Sequence, residues 1–157
     1  MNRLSDENRH ALLESPVGRI RAVLDTDTFN EIDDQFALVQ ALLSPDRIGL
    51  EAIYAAPFHN SRSTSPGHGM ELSYDEIIRL LERLDRSAIG FVFRGVTESI
   101  GSGKTAQPSA AVDDLISRAR TASPQTPLYV IAMPRTGGAA IMERCRIDGL
   151  KPNAIRR

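Results

Sequence analysis

Ile20-Arg21-Ala22-Val23-Leu24-Asp25-Thr26-Asp27-Thr28-Phe29-Asn30-Glu31-Ile32-Asp33-Asp34-Gln35-Phe36-Ala37-Leu38 is the stretch on which the reading of the fold turns. Its apolar start, Ile20 to Leu24 interrupted by Arg21, has the length of a strand and delivers Asp25 to the strand's end. From Ile32 the spacing changes. Ile32, Phe36, Val39, Leu42 and Leu43 recur at helical intervals, and Ser44-Pro45 ends the segment. Four aspartates, Asp25, Asp27, Asp33 and Asp34, crowd the junction between the two elements. Carboxylates gathered this closely repel one another, and a cation with oxygen ligands is the usual way to hold them together. The window is a candidate metal site.

Working outward, strand and helix signals keep alternating. Leu50 to Ala56 reads as a second strand closed by Pro57, followed by a polar loop from Phe58 to Met70. Ser73 with Glu76 reads as a capping box ahead of Ile77, Ile78, Leu80, Leu81 and Leu84. Ala88 to Phe93 is a short third strand, Gly95 to Pro108 a loop and Ala111 to Ala122 a third helix with Val112, Leu115, Ile116 and Ala119 inward. Leu128 to Met133 is a fourth strand. Such alternation predicts an α/β fold: a mostly parallel, doubly wound, Rossmann-like sheet with helices on both faces. Ligands in these sheets bind at the carboxyl ends of the strands, where Asp25, Asp27, Pro57, Arg94-Gly95 and Met133-Pro134 fall. The expected organisation is an N-terminal extension (1–19), an α/β domain (20–133) and a divergent tail (134–157). The tail offers one short helical pattern, Ala139 to Cys145, and then a basic end.

Composition narrows the class. With 157 residues the chain is one domain of ordinary size. Lys plus Arg is 19 against 20 for Asp plus Glu, so no bulk charge draws it to nucleic acid or to an anionic membrane. No apolar run approaches the roughly 20 residues that span a bilayer. The start, with Asn2, Arg3, Asp6, Glu7 and Arg9, has no signal-peptide character. The single Cys145 excludes an internal disulfide and fits a reducing compartment. A soluble cytoplasmic protein is the expectation.

Asp25-Thr26-Asp27-Thr28 leaves three readings open. One is a set of solvated loop acids, with Asn30 or Asp33 capping the helix. The second is a metal-assisted hydrolase in which a carboxylate takes a proton from water. The third is phosphoryl transfer through an aspartyl nucleophile. Gly101-Ser102-Gly103-Lys104-Thr105 mimics the end of a phosphate-binding loop, but Glu98 stands where its first glycine belongs and Gln107-Pro108 follows. His59 and His68 lack a third zinc ligand at standard spacing and read as loop histidines. Arg94 reads as an ion pair at the edge of the core, and Cys145 has no histidine partner.

The Asp25-Thr26-Asp27-Thr28 segment resembles the opening motif of haloacid-dehalogenase-like phosphatases, which would make Asp25 the nucleophile. The fuller resemblance is to the inosine-uridine-preferring nucleoside hydrolases. Their signature is an apolar strand, Asp-x-Asp, a short turn and Asp-Asp-x-x-Ala-Leu, here Val23-Leu24-Asp25-Thr26-Asp27 and Asp33-Asp34-Gln35-Phe36-Ala37-Leu38. It extends through Ala56-Pro57-Phe58-His59-Asn60, Phe93-Arg94-Gly95 and Pro127 to Ala132, so that Ile20 to Met133 looks like the first half of such an enzyme. The resemblance implies a nucleoside-hydrolase-like fold, incomplete here, and Ca²⁺-dependent hydrolysis of a ribonucleoside to ribose and free base. It implies that Asp27 binds Ca²⁺ and serves as general base, that Asp34 chelates the same ion and that Asp25 supports the metal shell. Asp33 would accept hydrogen bonds from ribose hydroxyls, with Asn60 beside the sugar. A carbonyl after the fourth strand, from Met133 or its rival Thr136, would complete the cation shell.

Three departures set expectations of their own. Five residues, Thr28 to Ile32, separate Asp27 from Asp33 where the commoner pattern has three, so Asn30 and Glu31 become candidates to line the site. Thr136-Gly137-Gly138 replaces the usual Thr-Asn. Family members are about twice as long, so a truncated or frameshifted product of low activity, or a non-catalytic remnant that keeps the metal, is expected. Base preference is not legible. Family members form dimers or tetramers, and an exposed sheet edge also favours a homo-oligomer.

Overall fold

The computed structural model describes residues 14–98, 107–123, 125–133 and 155–156, with residues 6, 7 and 10 near the start. Five strands, β1 (Ile20–Thr26), β2 (Ile48–Ala55), β3 (Val92–Arg94), β4 (Leu128–Ala132) and β5 (Ile155–Arg156), form one sheet in the order β3-β2-β1-β4-β5. Every pairing is parallel. Helices α1 (Ile32–Leu43), α2 (Pro66–Arg83) and α3 (Ala110–Arg120) accompany them. The expected α/β, Rossmann-like architecture is what forms.

β1 is central because it can be buried on both faces: Ala22 and Val23 are fully buried and Leu24 nearly so. Alternation along the strands then sorts the core into two layers. Val23, Ala52, Tyr54, Leu128 and Val130 meet Ala111, Val112, Leu115, Ile116 and Ala119 of α3. Leu24, Ile53, Ala55 and Val92 meet Leu38 and Leu42 of α1 and Met70, Ile77, Leu80 and Leu81 of α2. The chain moves outward from β1 through β2 to β3, then returns to the other side of β1 for β4. Right-handed crossovers running in opposite directions put their helices on opposite faces. The reversal between β1 and β4 opens a crevice at the carboxyl ends of those two strands.

Some local expectations give way. α2 starts at Pro66, inside the supposed polar loop, because Ser65 accepts a hydrogen bond from the His68 N–H and Pro66 fills the first turn. Ser73 and Glu76 are therefore mid-helix and buried, with Glu76 paired to Arg79, rather than a capping box. Gly69 is needed there, since a Cβ would sit 2.0 Å from the Phe58 carbonyl oxygen. On α1 the apolar stripe splits. Leu38, Ala41 and Leu42 face the sheet with Asp34, while Ile32, Phe36 and Leu43 are two-thirds exposed. Neither Asn30 nor Asp33 caps α1; Glu31 occupies the cap position without a side-chain bond. β3 is shorter than expected and starts only at Val92. The Ala139–Cys145 helix, Cys145 itself and the Gly101–Thr105 decoy lie outside the described residues. Among the described residues no helix is long and apolar enough to cross a membrane.

Candidate functional site

The carboxyl end of β1 carries Asp25 and Thr26 as its last residues, and Asp27 follows at the start of the turn. Alternation puts Thr26 on the α1 side and Asp25, like Val23, on the α3 side. Thr26 Oγ1 accordingly donates to Asp34 Oδ1 in the first turn of α1 and lies 3.0 Å from Thr28 Oγ1. The main chain of β1 closes on its neighbours just here: Ala56 N–H donates to the Thr26 carbonyl at 2.9 Å and Met133 N–H to the Asp25 carbonyl at 2.9 Å. Met133 thus stands beside Asp25 across the β1–β4 crevice.

The turn residues are held from a second loop. Asn30 Nδ2 donates to Asp27 Oδ2 at 3.0 Å, and Asn30 N–H to the Asp27 carbonyl at 2.7 Å. Asn60 Nδ2 in turn donates to Asn30 Oδ1 at 2.6 Å. Phe29 stacks on Phe58 with ring centres 6.4 Å apart, a second tie between the two loops.

Electrostatically the cluster is unsettled. Asp25, Asp27 and Asp34 are all buried, at 1%, 4% and 4% exposure. Asp25 Oδ2 has no hydrogen-bond partner. Burial first, and the charge of Asp27 second, push the Asp25 carboxyl from an ordinary 3.8 up to about 7. Burial and then the charge of Asp34 raise Asp27 to about 6, against the opposing bond from Asn30. Asp34 is raised as well, chiefly by burial and against the Thr26 hydroxyl bond. These three carboxyls form a chain in which Asp27 is coupled to one neighbour on each side.

The donor set is all oxygen, the chemistry that a hard cation takes, and the orphaned Asp25 Oδ2 is the kind of atom that a cation would satisfy. The cluster is nonetheless open. Among the described residues no three His, Cys, Asp or Glu side chains converge tightly enough to hold a metal by themselves. Alternation explains this: Asp25 and Thr26, with its partner Asp34, lie on opposite sides of the strand end. Any ion held here shares its shell with oxygens from outside these carboxylates.

Of the other candidates, Asp33 is exposed in the first turn of α1, next to the cluster but bonded to none of it. Asn60 is exposed on the facing loop. Thr136 lies outside the described residues. The histidines are spent locally, His59 Nδ1 3.4 Å from Ser63 Oγ and His68 Nδ1 3.0 Å from Thr64 Oγ1. Arg94 pairs with Glu71 at 2.9 Å and lies 3.7 Å over the Tyr74 ring, an edge contact as its position suggested. Sequence reasoning passed over Thr26, although Asp-Thr-Asp alternation was the signal that its hydroxyl faces α1. It also passed over Arg62, whose guanidinium reaches the Asn30 carbonyl.

A cleft of about 420 Å³ opens at the opposite, amino-terminal end of the strands, between Pro16, Arg19 and Arg21 on one side and Thr126 and Tyr129 on the other. It is remote from the carboxylates. No protein-family model, curated protein or solved structure matches the chain.

Proposed function

We propose that the chain is a nucleoside-hydrolase-like protein: a Ca²⁺ site at the carboxyl end of β1 that takes a ribonucleoside and hydrolyses its N-glycosidic bond. The observation that carries the reading is the buried Asp25-Asp27-Asp34 chain, with an unpartnered Asp25 oxygen, at the crevice between β1 and β4. The Asp-Thr-Asp and Asp-Asp-Gln-Phe-Ala-Leu segments supply the link to that chemistry.

In this reading Asp27 and Asp34 hold the ion, Asp25 supports them from the buried side and Met133 contributes from the end of β4. Bound Ca²⁺ would neutralise the repelling carboxylates and polarise water. Asp27, oriented by the Asn30 amide and facing the ion, is the carboxylate placed to accept a proton from the attacking water. Asp33, exposed beside it, accepts hydrogen bonds from the ribose hydroxyls, and Asn60 and Asn30 line the sugar's approach. The C–N bond breaks through an oxocarbenium-like centre, water adds to C1 of the ribose and yields its proton to Asp27, and the departing base takes a proton from solvent.

A phosphatase with Asp25 as nucleophile is the weaker reading, because a nucleophile must meet the phosphorus directly and Asp25 is the most buried of the three carboxylates. Incubation of the full chain with inosine, uridine and p-nitrophenyl phosphate, with and without Ca²⁺, separates them. Slow, Ca²⁺-dependent release of free base, lost in Asp27→Asn, is expected. Phosphate release instead overturns the reading. Ca²⁺ binding without any hydrolysis leaves a binding protein in place of an enzyme.

A further inference from the structure

Two asparagine amides stand between Arg62 and the carboxylate cluster, and their polarity follows from a single backbone group. Arg62 N–H can only donate, and it donates to Asn60 Oδ1 at 2.8 Å. That leaves the Asn60 amide nitrogen to face Asn30, where it meets Oδ1 at 2.6 Å. The Asn30 amide nitrogen must then point the other way, and it does so onto Asp27 Oδ2. Flipping either amide would set donor against donor or acceptor against acceptor. The Arg62 guanidinium adds a second hold, donating from Nη1 to the Asn30 carbonyl at 2.5 Å. Asn30 is thereby fixed at its carbonyl, its side-chain oxygen and its side-chain nitrogen at once. Among the described residues no carboxylate pairs with Arg62, so its side chain is committed to this carbonyl.

We propose that Arg62 is a positioning residue for Asp27: from the loop after β2 it locks the Asn30 turn, so that Asp27 presents its oxygens to a cation in one orientation. The inference rests on the cation reading above and goes beyond it, because Arg62 belongs to no part of the Asp-x-Asp…Asp-Asp pattern. Groups that orient a metal ligand from behind commonly change affinity about 10–100-fold when removed. An exposed arginine with one carbonyl partner belongs at the lower end of that range. Lysine can replace the single donated bond but not the planar fork.

The test is Ca²⁺ calorimetry on the full-length wild type, Arg62→Ala and Arg62→Lys, with the melting temperature of each metal-free protein measured alongside. The expected result is about a tenfold loss of Ca²⁺ affinity in Arg62→Ala, a nearly unchanged metal-free melting temperature and substantial recovery in Arg62→Lys. Wild-type affinity in Arg62→Ala overturns the proposal and leaves the cation site standing. A lower affinity that only tracks a lower metal-free melting temperature, with no recovery by lysine, also overturns it. A wild type that binds no Ca²⁺ overturns the cation reading, and this inference falls with it.

Discussion

Glu51 on β2 and Asp27 just past the end of β1 are both acids among charged neighbours, yet their surroundings are opposite in kind. Glu51 lies toward the amino ends, at a bulge where Ala22 pairs with Leu50 and Val23 with Ala52, so Glu51 is the extra residue. Arg21 holds it through two bonds, of 2.6 and 3.1 Å, and Arg118 approaches at 3.5 Å. Arg118 also pairs with Asp114 at 2.6 Å, and Asp114 accepts the Tyr54 hydroxyl at 2.8 Å. Every acid there has a donor, and the Arg21 bond holds the Glu51 carboxyl below its ordinary value. At the carboxyl ends Asp34 has a hydroxyl partner and Asp27 an amide, while Asp25 Oδ2 has none. No cationic side chain among the described residues pairs with them, and all three carboxyls are raised. Buried charges are normally paired. The contrast teaches that the first cluster is completed by the chain itself, whereas the second, on the proposed reading, is completed by a bound cation.

The comparison can be broken most sharply at Asp34. Asp34→Ala should weaken Ca²⁺ binding by at least about a hundredfold, since it removes an ion-holding carboxylate and not merely an orienting neighbour. Unchanged calorimetry in that variant would erase the difference between the clusters. Asp25→Asn should do the reverse to stability: with no buried charge to form, the metal-free protein at pH 8 should gain about 2 kcal/mol in denaturant unfolding. A loss of stability would mean that the carboxylate is already satisfied.

At the completed cluster the signs change. Glu51→Gln leaves Arg21 and Arg118 without their shared carboxylate and should cost about 1–3 kcal/mol, equally with and without Ca²⁺. A Ca²⁺-dependent cost would show that the two clusters are coupled. Tyr54→Phe, which removes one neutral donor, should cost about 1 kcal/mol and leave cation affinity untouched. A cost near zero would show that Asp114 is satisfied by Arg118 alone.

Much of this arrangement could be read from the chain before any coordinates. The βα alternation and the strand-end position of Asp25 follow from hydrophobic spacing, which survives because burial on both faces demands it. The sheet order did not follow: nothing local to Leu128–Ala132 says that this strand returns to β1 rather than extending past β3. The α1 stripe misled because Ile32, Phe36 and Leu43 repeat as core residues do, yet helix orientation is decided by the partner surface, and Leu38 and Leu42 won it. The Ser73-Glu76 capping pattern failed against a stronger start at Ser65-Pro66. Arg62 was invisible because its role depends on the Asn60 side chain bonding the backbone two residues on, a turn that Asn60-Ser61-Arg62 permits without requiring.

The proposal that a bound cation completes the carboxyl-end cluster is tested most directly by the melting temperature of the wild type between pH 4 and 8, with and without Ca²⁺. In the metal-free protein Asp25 and Asp27 keep protons up to about 7 and 6 that the unfolded chain has already released above its ordinary 3.8. Their contribution is therefore fully present below about 4 and is lost as pH rises through 7. Glu51 acts oppositely, and its contribution is lost as pH falls through its lowered folded value. The account predicts a melting temperature that declines between pH 5 and 8 without Ca²⁺, and a decline that saturating Ca²⁺ abolishes. Curves that superimpose with and without Ca²⁺ across that range would contradict it.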